Sequence, residues 1–183
     1  MPPPDAGYVA RTLRLTVHTD GEFTRKKPVM EQTTTFSDEQ MVGLELAGEF
    51  YGVEISRIQE IIRMQPITSV PNGPAFVVGL TNLRGRVIPV MDLRARFSLD
   101  VSEPSRRSRI VVAEMGEHTV GLIVDAVSEV LRISPEMVEP PSSLVTSADS
   151  AYLRGVAKID ERLVLLLDLS HVLSTDEHAA LAA

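Results

Sequence analysis

The sequence predicts a mainly β protein of two small barrels, either packed as a pair or merged into one double barrel, with a few short helices. Three observations carry this. Apolar residues make up 44% of the 183-residue chain, but aromatics only 4% and tryptophan none, so Val, Leu and Ile must build the core. Of these, the β-branched Val and Ile suit a pleated surface. Short apolar alternations separated by turn residues recur from Met41 onward. These alternations also repeat within the chain. YGVEISRIQEIIRMQPITSVP (51–71) aligns without gaps on VGLIVDAVSEVLRISPEMVEP (120–140), and GLTNLRGRVIPVMDLRARF (79–97) on GVAKIDERLVLLLDLSHVL (155–173). Closing each small sheet removes its exposed edges, and halves this short need each other to bury enough core.

Residues 1–40 stand apart as a flexible extension, in which only Arg11–Val17 alternates like a strand. VGLELAGEFYGVEI (42–55) then reads as two strands around Ala47-Gly48-Glu49. SRIQEII places Ile58, Ile61 and Ile62 at helical spacing behind Ser56 as N-cap, which predicts a short helix. TNLRGRVIPV (81–90) is a hairpin turning at Gly85. Asp92-Leu93 and its counterpart Asp168-Leu169 read as helix starts, each aspartate accepting first-turn amide protons. Residues 98–108 form the junction between pseudo-repeats at about 41–97 and 109–173; an exchange of strands across it leaves no mark in the sequence. The repeats together give a domain over 41–174, followed by a tail at 175–183 that reads as a short C-terminal helix capped by Thr175.

The chemistry in the sequence is sparse. A net charge of −7 argues against a nucleic-acid backbone binder, and the basic run Arg106, Arg107 and Arg109 reads as solvated surface. There are no cysteines to supply disulfides or thiolate ligands, no apolar run long enough to span a membrane, and no signal-peptide pattern. His18, His118, His171 and His178 have no metal-ligand spacing and read as surface histidines, so no metal or cofactor is expected. Asp92 and Asp168 are better explained as caps than as a catalytic pair, and no nucleophile elbow or phosphate loop occurs. No catalytic residue is assigned.

One position stands out. In the second copy Asn82-Leu83-Arg84-Gly85 becomes Lys158-Ile159-Asp160-Glu161, while the apolar positions around it persist. A hairpin that folds with aspartate at this tip does not need arginine there, which leaves Arg84 free for a contact outside the chain. Glu60, matched by Glu129, is explained on the same test by solvation or capping of its helix.

FYGVEISRIQEII, GLTNLRGRVIPVMDLRARF, VGLIVDAVSEVL and AYLRG occur in the order found in the CheW family, and NLRG-x-x-x-P-x-x-DLR is the most specific of these blocks. From about Met41 to Leu173 the chain resembles that family. The resemblance implies two five-stranded SH3-like barrels around a shared core. It also implies a non-catalytic adaptor that couples the cytoplasmic tips of methyl-accepting chemoreceptors to the regulatory domain of the histidine kinase CheA. Such an adaptor is cytoplasmic and reaches membrane arrays only through the receptors. Carried over position by position, the receptor-binding surface falls on Arg84, Ile58, Glu60 and Gly79, and the kinase-binding surface on Gly121 and Val130. A scaffold of the same family serving another kinase pathway, for surface motility or development, is the alternative reading. A small-barrel nucleic-acid binder is a third, opposed by the acidity of the chain.

Overall fold

A computed structural model describes residues 38–71, 73–141, 151–174 and 177. The strand expected at Arg11–Val17 and the C-terminal helix capped by Thr175 lie outside the described residues.

The first half contributes β1 (Glu39–Leu46), β2 (Glu49–Glu54), β3 (Ile58–Arg63), β4 (Val77–Leu83), β5 (Arg86–Asp92) and the one-turn helix α1 (Leu93–Arg96). The second contributes β6 (Arg109–Met115), β7 (His118–Val124), β8 (Ala126–Ile133), β9 (Val138–Glu139), β10 (Leu153–Ile159) and β11 (Arg162–Leu167). The strands form two rows, β8-β1-β2-β11-β10-β9 and β3-β6-β7-β5-β4. Each row therefore takes its β-hairpin of first strands from the opposite half: β1-β2 sits among β8 to β11, and β6-β7 among β3 to β5. Only the joins β2–β11 and β5–β7 are parallel.

The exchange puts one face of both hairpins into a common core. Val42, Leu44, Leu46, Tyr51 and Val53 meet Val111, Met115, Val120, Leu122 and Val124 there, together with Leu93 and Leu169 from the two aspartate-capped turns. The other faces fill separate cores: Met41, Ile133, Ala157 and Leu166 in one row, and Ile88, Val90, Ile110, Val112 and Ile123 in the other. Alternation along each strand thus supplies two cores at once, as the period of two allows.

Each row curls back on itself. β8 and β9 lie at opposite ends of the six-stranded row but are joined through Ser134 and the 3-10 turn Pro135–Met137. In the other row Thr68, just beyond β3, pairs with Leu80 of β4: each backbone amide donates to the other's carbonyl at 2.8 Å. That closure depends on Gly79, whose φ is +154°, and where a Cβ would lie 2.1 Å from the Thr68 carbonyl oxygen. Gly79→Ala is therefore expected to cost about 2 kcal/mol or more, read as a lower urea midpoint with the Thr68 and Leu80 amides losing exchange protection first.

The helix expected over Ser56–Ile62 is not formed. A single 3-10 turn, Ile55–Arg57, leads directly into β3. Ser56 caps nothing, and its hydroxyl donates to Glu54 instead, at 3.3 Å. Ile58, Ile61 and Ile62 fit either period over so short a run, and the free edge of β6 decides it by pairing from Ile58↔Ala113 to Arg63↔Arg109. The equivalent stretch of the second half is the strand β8 for the same reason, pairing with β1. The two aspartates do cap: Asp92 accepts from the Arg94 amide and Asp168 from the Ser170 amide, each at 2.9 Å.

Candidate interaction surface

Arg84 and Gly85 form the two-residue turn between β4 and β5, with φ of +52° and +87°. Both central residues are left-handed, the signature of the primed hairpin turn that matches sheet twist and favours Asn-Gly. Asn82 Oδ1 accepts the Gly85 amide at 2.8 Å and steadies the loop. An arginine here is a conformational liability, since a left-handed L-residue costs on the order of 1 kcal/mol. Its side chain is 80% exposed, and Nη2 donates to Glu60 Oε2 at 2.9 Å. Glu60 thus lies on a strand and holds Arg84, rather than solvating a helix.

The second half repeats the pairing with a shifted partner. Asp160 occupies the turn position with φ of +54°, and Glu129, the counterpart of Glu60, is met at 3.4 Å by Arg162. Arg162 is the repeat equivalent of Arg86, two positions further along the hairpin. An arginine–glutamate bridge between these strands is therefore common to both halves, and only its placement at the turn distinguishes Arg84. Such exposed pairs contribute about 0–1 kcal/mol each.

The structure brings some of the other predicted residues to this surface and sets others apart. A register shift between Ile58 and Glu60 puts Ile58 opposite Ala113, packed against the common core, and Glu60 opposite Val112. Ile61, opposite Val111 of the common core, is 41% exposed. Val130 is its repeat equivalent: it lies opposite Val42 of the same core and is 52% exposed. The sequence reading singled out Val130 but not Ile61, although the gapless alignment pairs them. Gly79 offers no side chain to a partner, and its backbone permits the closure at Thr68. Gly121 is buried between β5 and β6, where a Cβ would meet Ile110 Cγ2 at 2.8 Å, so it sets strand spacing rather than surface. Val87 and Leu163, also repeat equivalents, are the most exposed large apolar side chains described, at 65% and 61%.

Sequence reasoning missed the polar centre of the first half. Arg94, read only as part of a motif, is 2% exposed. Its Nε and Nη2 donate to the two oxygens of Asp92 at 3.0 and 2.7 Å, and its Nη1 donates to Asp125 at 2.8 Å and Ser102 at 3.1 Å. Asp125 in turn accepts the Ala47 amide at 2.7 Å. The hydrogen bonds to Asp92 raise the guanidinium above its ordinary pKa against the opposing effect of burial, helped by the charges of Asp92 and Asp125. The signal was the adjacent DLR triplet with an unpartnered Asp125 on the other half. In the second half Asp168 bonds the exposed His171 at 2.8 Å. Burial pushes the Asp168 carboxyl up, but the bonds from His171 and Ser170 outweigh it and hold the pKa below the usual value.

Among the described residues no cluster of His, Cys, Asp or Glu is placed to hold a metal, and no helix is long and apolar enough to cross a membrane. The fold and this surface define an all-β module of two hairpin-exchanged halves, with an arginine turn beside half-exposed apolar residues. Residues 40–177 match the CheW-like domain family, and the chain belongs to it. It is 33% identical over 143 residues to the probable chemotaxis protein CheW of Rhizobium etli, spanning 78% of this chain and 92% of that one. With the chemotaxis protein CheW of Klebsiella aerogenes it shares 34% identity, spanning 73% and 81%. Its fold is similar to that of the scaffolding protein TtCheW of Thermoanaerobacter tengcongensis, with a TM-score of 0.71 and 37% identity over 77% of this chain and 96% of that one.

Proposed function

We propose that the chain is a non-catalytic adaptor that joins the cytoplasmic tips of chemoreceptors to the histidine kinase CheA. The family match across residues 40–177 carries this reading, because it covers the whole of the two-row fold described above. The adaptor reaches the membrane only through the receptors it binds. Receptor tips are helical hairpins, and a helix seats on a β module by laying its apolar face on exposed aliphatic side chains while its polar groups meet charged ones. The proposed receptor-binding residues supply both elements: the Arg84–Glu60 pair on one face of β3, and Ile58, with the exposed Ile61, on the other. The kinase regulatory domain docks elsewhere, on the second half around Val130, with Gly121 setting the strands beneath.

Reconstitution tests the reading. A receptor cytoplasmic fragment and CheA, each below its own association threshold, are expected to co-sediment and show receptor-controlled autophosphorylation only when the chain is added. Kinase activity and co-sedimentation that are the same with and without it would overturn the proposal.

A further inference from the structure

The arginines of the junction do not behave alike. Arg107 is neutralised, its Nη2 reaching both oxygens of Glu45 at 2.9 and 2.8 Å. Arg106 and Arg109 instead turn to a different surface, where with Arg63, Met64, Ser105 and Ser108 they line a hollow of about 420 Å³. Among the described residues no carboxylate lies within ion-pair distance of Arg63, Arg106 or Arg109. Two of the run expected as solvated surface, Arg106 and Arg109, thus gather with Arg63 without a counter-charge among the described residues, in a chain whose net charge is −7.

The arrangement is also built against repulsion. Arg63 and Arg109 lie directly opposite across the β3–β6 ladder, where like charges destabilise the pair. Arg109 is partly buried, and its Nη1 donates to the carbonyl oxygens of Arg106 and Ser108 at 2.9 and 2.8 Å. That fixes one edge of its guanidinium and leaves Nε and Nη2 to donate elsewhere. Ser108 is buried, and its hydroxyl accepts the Ser105 amide at 2.8 Å, which leaves its own proton as a donor at the wall. A planar fork held in place at Arg109, two further guanidiniums and a hydroxyl donor are the chemistry that recognises a tetrahedral oxyanion.

We propose that the hollow formed by Arg63, Arg106 and Arg109 is a binding site for the phosphate group of a small molecule, either inorganic phosphate or a nucleotide's phosphate tail. The acidity of the rest of the chain selects for a compact anion, since an extended polyanion or an anionic lipid surface would meet repulsion around the hollow. The site is independent of the adaptor reading and lies on residues that reading does not use.

The test compares the wild-type chain with Arg63→Gln/Arg109→Gln, and with Arg107→Gln as a control at the same net-charge step per residue. Inorganic phosphate and ATP are titrated at constant ionic strength, with chloride as the blank, following arginine side-chain NMR resonances and melting temperature. Wild type and the control are expected to show saturable shifts and a rising melting temperature with phosphate or ATP. The double variant is expected to bind at least about tenfold more weakly, while melting no lower than wild type in chloride because an opposed pair of like charges is gone. Equal shifts with phosphate and chloride, or undiminished binding by the double variant, would overturn the site. So would binding to phosphatidylserine vesicles or an oligonucleotide without binding to phosphate or ATP.

Discussion

Arg94→Met is expected to lower the unfolding free energy by about 3–5 kcal/mol, a large part of what a domain of this size holds in reserve. The guanidinium is 2% exposed and is shared by Asp92, Asp125 and Ser102. These come from three parts of the chain: the end of β5, the join between β7 and β8, and the junction after α1. Removing it leaves Asp92 and Asp125 with only backbone amides as partners and no compensating charge, which costs more than the lost bonds themselves contribute. Methionine keeps most of the volume, so the loss reports charge compensation and not a cavity. Urea denaturation of Arg94→Met, beside a variant that adds Asp92→Asn and Asp125→Asn, separates the two. The triple variant is expected to recover a large share of the loss, because neutral amides no longer need a buried cation. A loss below about 1 kcal/mol in the single variant would mean that the junction is held by the common core alone.

That network shows where sequence reasoning reached its limit. The strand content and both aspartate caps were legible because each rests on patterns within a few residues, and the repeat because such local patterns recur in the same order. The helix expected over Ser56–Ile62 failed because the deciding influence, the pairing edge of β6, lies some fifty residues away in the chain. Arg94 was hidden for the same reason: Asp125 belongs to the other half, brought close only by the hairpin exchange. The comparison between copies singled out Arg84 but placed Glu60 on a helix, whereas the glutamate shared by both copies lies on a strand and serves a bridge whose arginine has moved from the turn to Arg162 in the second half. The resemblance assigns Gly79 and Gly121 to binding surfaces, and the structure adds the close approaches to Thr68 and Ile110 that require glycine there, which no spacing rule contains.

Arg84→Asn is expected to weaken receptor binding by about thirtyfold or more while leaving the fold and kinase binding intact. The turn itself prefers the substitution: with φ of +52° at position 84 and +87° at Gly85, Asn-Gly is the favoured pair, and melting temperature should hold or rise slightly. What is lost is a guanidinium projecting from the tip with 80% of its surface free, tethered only by the bond to Glu60. An exposed bridge worth about 0–1 kcal/mol offsets a left-handed arginine at best partly, which supports the proposed contact outside the chain. The donors of Arg84 not taken by Glu60, at a turn next to the exposed Val87, can meet a carboxylate or free helix-end carbonyls of a receptor hairpin as its apolar face seats. A central arginine of that kind is worth about 2 kcal/mol or more, roughly thirtyfold in affinity. Glu60→Gln, which frees Arg84 without removing it, should change receptor affinity only a few-fold. Arg162→Gln, which breaks the equivalent bridge in the second half, should leave it unchanged. Receptor affinity that survives Arg84→Asn would sink the assignment, whereas a parallel fall in kinase binding would move the effect from the contact to the fold.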